Sequence, residues 1–252
     1  MRVCPECQSH TISSEALCRE RLCPTCARIL STQHLKEAAK AIEYAVCDMY
    51  EAGEAVEIRF LTLTIRNTTL SDLREGIKTI TEGFKRLMRR KRFEKVVGYV
   101  RSVEITYNAK EKTYHPHIHA IIISTLGGFI PHADLIGEWR QAARLDYAPS
   151  VRVNMVKPKA GKSMAEATVE ATVECCKYAL KTTQIATAEN IRELSEQICK
   201  MRFLAYGGKV KENIKAARAD IRAAKAETRE CRKCGARVEI VRGEWNGKEY
   251  VL

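Results

Sequence analysis

The segment TYHPHIHAIII, residues 113–123, sets three histidines at every second position and then runs into unbroken aliphatic residues. Side chains of a β-strand alternate between its faces. His115, His117 and His119 therefore share one face, with Ile118, Ala120 and Ile122 on the other. The apolar run predicts a strand buried on at least one side. Imidazoles are costly to bury as filler, whereas a neutral imidazole is a common metal ligand, and two at i and i+2 can clamp one ion. The competing reading is a histidine pair hydrogen-bonded at a sheet edge. Their spacing and the buried strand that follows favour ligation.

The preceding strand supplies a carboxylate. Residues 98–107, GYVRSVEITY, read as that strand, and NAKEKT as the polar turn between the two. With Tyr107 opposite Tyr114, Glu104 falls opposite His117 and Ser102 opposite His119. Tyr99, Val103 and Ile105 then face the core, and Glu104 shares the histidine face. A slip of one residue would reverse every one of these assignments. Two histidines and a carboxylate with open positions suit a divalent ion such as Mg²⁺ or Mn²⁺ that must also accept a phosphate oxygen. Further on, in VECCKYALK, Glu174, Tyr178 and Lys181 stand at i, i+4 and i+7, one face of a helix. A phenol with a pKa near ~10 becomes a useful nucleophile beside a cation or metal, and Lys181 is one turn away. Taken alone, the same trio suits an ordinary amphipathic helix.

The cysteines carry a second chemistry. Cys4-x2-Cys7 and Cys23-x2-Cys26, with fifteen residues between the pairs, have the spacing of a tetrahedral structural zinc site. Cys18 is an alternative ligand. Cys231-x2-Cys234 looks like another knuckle with no second pair nearby; it either completes a site with the N-terminal cysteines or binds nothing. Cys47, Cys175, Cys176 and Cys199 read as packing residues on helices. Four thiolates leave no open position, so such a zinc module is scaffold or duplex-binding rather than catalytic. Eleven cysteines, with no apolar leader after MRVCPEC, point to reduced thiols in a cytoplasmic setting.

These groups must be positioned by a chain of 252 residues, enough for one medium domain and a small accessory one. A formal net charge of +12 with 45% hydrophobic residues fits a globular protein attracted to polyanions. Nucleic acid leads, because no apolar stretch approaches the ~20 residues of a membrane span. A basic amphipathic helix on a membrane surface is the alternative. Helices are expected over about 31–53, 71–92, 134–147, 163–182, 188–206 and 210–230. Strands are expected over 58–67, 98–107, the histidine run and 150–156, and a closing hairpin turns at Asn246-Gly247. The long helix over 71–92 ends in Lys85, Arg86, Arg89, Arg90, Lys91 and Arg92, either a solvated face or a phosphate-contacting one; the chain's overall charge favours phosphate contact.

FLTLTIRN, then VEITY…YHPHIHAIII, then ECCKYALK, in that order, resemble the three motifs of rolling-circle replication initiators. These are HUH-superfamily endonucleases, here of the plasmid type with one catalytic tyrosine. CRERLCPTC upstream and EWRQAARLDYAPSVRVNMV between the second and third motifs support the likeness, which covers residues 18–182. The resemblance implies an α+β fold, a central antiparallel sheet flanked by helices with the nucleophile's helix across the histidine face. It implies His117 and His119 as the metal pair with Glu104 as third ligand. It makes Tyr178 the nucleophile that forms a 5′-phosphotyrosine on nicked DNA, assisted by Lys181. Glu174 is then the carboxylate that activates water in the closing step, and His115 has a supporting role. In CRERLCPTC the family pattern joins Cys18, Cys23 and Cys26, with Cys4 or Cys7 as the fourth ligand. The implied partners are origin DNA, both duplex and single-stranded at the nick, with host helicase and DNA polymerase and no membrane. The expected organisation is a zinc-binding module at 1–30, the endonuclease domain at 31–185, and a helical extension at 186–252 ending in the knuckle and hairpin. The rivals are an HUH transposase or relaxase with the same chemistry, and a non-enzymatic zinc-dependent DNA-binding regulator. Histidines that precede the tyrosine, as here, favour replication or transposition over a relaxase.

Overall fold

The computed structural model describes residues 2–7, 10–11, 21–128, 130–177, 185, 187, 189–227, 231, 233–240, 244–245 and 250–251. The chain divides into two units, residues 19–217 and residues 1–18 together with 218–252. The larger unit contains α1 (Pro24–Glu51), β1 (Val56–Thr64), α2 (Leu73–Leu87), β2 (Val96–Asn108), β3 (Thr113–Thr125), α3 (His132–Ala142), β4 (Val151–Met155), α4 (Met164–Lys177), α5 (Ile191–Ile198) and β5 (Leu204–Gly207). It also holds the first part of α6 (Gly208–Glu227).

The strands form one antiparallel sheet in the order β4-β1-β3-β2-β5, with the histidine strand β3 in the centre. Ile118 to Ile123 are buried without a break, which a strand shows when both faces are covered. Alternate residues feed two cores. Leu61, Leu63, Val103, Ile105, Ile118 and Ile122 pack with the apolar residues of α2, α3 and α5. Ile58, Val100, Ile121 and Ile123 pack with α1, α4 and the start of α6. Leu73, Ile77, Ile80, Phe84 and Leu87 form the buried stripe of α2 at steps of three and four. Each aliphatic side chain removed from water contributes about 1.5–3 kcal/mol before chain entropy is counted. The result is three layers, helices on both faces of an antiparallel sheet.

Three elements differ from the expected pattern. α1 starts at Pro24, inside the expected zinc knuckle, because proline's fixed φ suits the first helical turn. Ser31 and Thr32 are consequently interior to the helix; Ser31 donates to the Cys176 carbonyl and Thr32 to that of Arg28. α2 stops at Leu87, and a short 3₁₀ turn, Lys91–Phe93, then buries Phe93 in the core. The helix expected over 188–206 ends at Ile198, and β5 pairs along the edge of β2 instead. Only glycine permits the junction that follows: a Cβ on Gly208, whose φ is +54°, would overlap the Val97 carbonyl oxygen.

The basic run at the end of α2 is largely paired within the scaffold. Lys85 meets Glu82 at 2.6 Å, Arg86 donates to the Ala142 carbonyl at 2.6 Å, and Arg92 meets Asp134 at 2.8 Å. Arg90 is bound to Glu138. The contacts of Arg86, Arg90 and Arg92 tie α2 and the turn after it to α3, on the sheet face opposite the histidines. Acids distant in sequence therefore offset charge that, in sequence, stood free for phosphate.

In the smaller unit, Arg2–Val3 pairs with both His10–Thr11 and Glu239–Ile240. Glu244–Trp245 pairs with Tyr250–Val251, so Trp245 stands opposite Tyr250 rather than opposite Lys248, the partner that a two-residue turn at Asn246-Gly247 would give; residues 246–249 lie outside the described residues. Among the described residues, no helix is long and apolar enough to cross a membrane.

Candidate functional site

Tyr107 stands opposite Tyr114, Glu104 opposite His117 and Ser102 opposite His119, the register expected from alternation and the short turn. On the other side of β3, Thr64 is opposite His117 and Thr62 opposite His119. Opposed residues of antiparallel strands share a face, so Thr62, His119 and Ser102 form one row and Thr64, His117 and Glu104 the next.

Both imidazoles aim the same atom at the same acceptor. His117 Nε2 lies 2.7 Å and His119 Nε2 2.8 Å from Glu104 Oε2. The three ligand atoms lie within 4.8 Å of one another, and all three residues are buried. Each ring is oriented from its far side. His117 Nδ1 is 3.2 Å from the His115 carbonyl, and His119 Nδ1 is 3.2 Å from the Thr62 hydroxyl. A carbonyl only accepts, so His117 donates from Nδ1 and, when neutral, turns a bare Nε2 lone pair toward the carboxylate. Two electron-rich atoms in that contact need a proton or a cation between them. Two nitrogens and a carboxylate fit a divalent cation, and the second hydrogen bond on each ring is the usual support of a metal-ligating histidine. His115 is set back from this group. Its Nδ1 contacts Asn67 Oδ1 at 2.8 Å, and burial, followed by the neighbouring His117 ring, lowers its pKa.

α4 is tied to the same face. Ser102, beside His119 in its row, donates to the Cys175 carbonyl, and the Cys175 thiol is 3.5 Å from the His119 carbonyl. Cys176 is held from the opposite side by Ser31 of α1. The Cys176 thiol is pushed up in pKa by its contact with Cys175 and by burial, and both sulphurs act as packing groups. Cys47 and Cys199 differ from the packing role expected of them, since both are exposed. Glu174 lies half-buried in the last turn of α4. Tyr178 and Lys181 lie outside the described residues, as does Cys18.

The thiol group that assembles is not the expected one. Cys4 and Cys7 converge with Cys231 and Cys234, all within 4.8 Å. Cys23 and Cys26 belong instead to the start of α1, where Cys23 precedes the first turn and Cys26 is buried. The proline between them begins a helix rather than a metal-binding turn.

Sequence reasoning did not assign roles to Thr62, Ser102 or Arg152. Thr62 orients His119, Ser102 anchors α4, and Arg152, exposed, stands opposite Thr62 on the histidine face. The alternation through Thr62 and Thr64 was the available signal for the first. The others need the sheet order. Ser102 is a positioning residue, and Ser102→Ala tests it. Loss of one hydrogen bond of about 1–1.5 kcal/mol is expected to slow a reaction on this face about tenfold while Mn²⁺ affinity holds and the melting temperature falls by only a few degrees. A fall in metal affinity equal to the fall in rate would show instead that Ser102 shapes the metal group.

A family model described as Replication protein matches residues 9–251. The chain is 30% identical to Protein rep of Streptococcus pneumoniae serotype 2, over 77% of this chain and 61% of that protein. It is 32% identical to Protein rep of a Bacillus sp., over 82% of this chain and 73% of that protein. Protein rep of Bacillus amyloliquefaciens is 32% identical over 77% of this chain, which spans 62% of that relative's length. No solved structure matches the chain. With the family match running across both units, the chain belongs to the Replication protein family.

Proposed function

We propose that this replication protein initiates rolling-circle replication of a plasmid by nicking and rejoining one strand of its origin through a 5′-phosphotyrosine link. The observation that carries the reading is the convergence of Glu104, His117 and His119 on the face where the last described turn of α4 is anchored. Tyr178 follows Cys175 by three residues, so chain length alone keeps its Cα within about 11 Å of that anchor.

In this reading, Tyr178 Oη attacks the scissile phosphorus. The Oη–P bond forms, the P–O3′ bond breaks, the phenol gives up its proton and the departing 3′-oxygen gains one. Lys181 favours the phenolate by its charge. Mg²⁺ or Mn²⁺ held by His117, His119 and Glu104 would supply charge neutralisation at the phosphate oxygens. The retained phosphotyrosine conserves the phosphodiester's energy, and the free 3′-hydroxyl suits extension by a host DNA polymerase behind a host helicase. At termination Glu174 takes a proton from water as that water attacks phosphorus and the tyrosine leaves.

Family membership favours replication over transposition or mobilisation as the use of this chemistry. Incubation with supercoiled plasmid carrying the replicon's origin, with Mn²⁺, tests the reading. Open circles are expected. DNA that is retarded in a gel but stays supercoiled would identify a non-enzymatic regulator instead.

A further inference from the structure

Residues 2–11 and 231–240 come together in the smaller unit through very little. Arg2 and Val3 pair with Ile240 and Glu239, one two-residue ladder. Among the described residues of this unit, the only buried apolar side chains are Cys4 and Cys231. Two-residue strands lie below what strand pairing alone holds together, and small units of this kind normally depend on a metal or disulfides. None of the four cysteines is in a disulfide.

The sulphurs are arranged as a ligand set. Cys4 Sγ is 3.4 Å from Cys234 Sγ, Cys7 Sγ is 3.5 Å from Cys231 Sγ, and all four lie within 4.8 Å of one another. A tetrahedral zinc centre with Zn–S bonds of about 2.3 Å sets its sulphurs about 3.8 Å apart, inside that range. The second pair sits on a tight turn shaped for ligation. The Gly235 amide donates to the Cys231 carbonyl at 2.8 Å with Gly235 at φ +75°, and the Lys233 amide points at Cys231 Sγ from 3.4 Å. An amide aimed at sulphur stabilises the thiolate form that a metal requires.

We propose that Cys4, Cys7, Cys231 and Cys234 hold one Zn²⁺ through four thiolates, and that the ion holds the two cysteine segments together. Residues 2–11 and 231–240 then fold only together and only with metal. Binding releases one proton from each of the four thiols, so the site empties in acid as well as under chelation. With no open ligand position, the ion is structural. This inference is independent of the nicking chemistry.

The test uses the full chain purified without chelator. Elemental analysis is expected to find one tightly held zinc per chain, and replacement by Co²⁺ to give the intense thiolate-to-metal charge-transfer absorption of a four-sulphur site. That band distinguishes the thiol centre from any metal at the histidines. Cys231→Ser and Cys4→Ser are each expected to lose zinc to a competing chelator at least tenfold faster, whereas Cys23→Ser and Cys26→Ser behave as the parent chain. Amide hydrogen exchange in the parent chain with EDTA is expected to rise together over residues 2–11 and 231–240, while β1, β2 and β3 stay protected. Zinc retained in Cys231→Ser but lost in Cys23→Ser would overturn the ligand set. So would a disulfide in place of metal, a chain that holds no zinc, or exchange that rises in only one of the two segments.

Discussion

Glu104→Ala, His117→Ala and His119→Ala are each expected to lower origin-oligonucleotide cleavage by on the order of 10³-fold. A divalent ion acting on phosphate oxygens is worth several kcal/mol of transition-state charge stabilisation, and each 1.36 kcal/mol is about tenfold in rate. The three side chains form one unit around Glu104 Oε2, so removing any one disperses the group. Glu104→Gln is the sharper variant, because it keeps the shape and removes only the charge. It is expected to fold, to lose Mn²⁺ in calorimetric titration, and to cleave as poorly as the alanine variant. Full Mn²⁺ affinity in Glu104→Gln would remove Glu104 from the ligand set and leave the histidine pair standing.

The second large effect separates Tyr178 from Glu174, four residues before it in the sequence. Tyr178→Phe is expected to abolish both strand cleavage and the covalent protein–DNA species, with Mn²⁺ and DNA binding unchanged, because no other group stores the 5′-phosphate in this scheme. Glu174→Ala is expected to cleave and form the adduct normally but to release it slowly, by the ~10²–10⁴-fold typical of a lost general base. Its adducts or over-long products then accumulate. A labelled single-stranded origin oligonucleotide resolved on a denaturing gel reads both variants. Normal termination by Glu174→Ala would withdraw its role as water activator.

The legible part of this molecule was local. The register that brings Glu104 to His117 follows from strict two-residue alternation and a short polar turn, and neither depends on the rest of the chain. The stripe of α2 was equally visible in its spacing. The features that sequence did not reveal are set by distant partners. Nothing near Cys4 distinguishes Cys26 from Cys231 as a companion, since any C-x2-C pair offers the same ligands and the choice depends on a ladder between residues 2–3 and 239–240. The basic run after Lys85 reads as unbalanced in sequence because Asp134 and Glu138 lie on another helix. β5 was read as helix because four residues that pair along an open edge carry almost no periodicity of their own.

The most direct measurement incubates the parent chain with Mn²⁺ and a single-stranded origin oligonucleotide, then digests the product and maps any DNA-bearing peptide by mass spectrometry. The account predicts a 5′-phosphate attached to Tyr178, formed with Mn²⁺ and absent under EDTA. A cleaved strand with no covalent protein, or a link to any other residue, would contradict it.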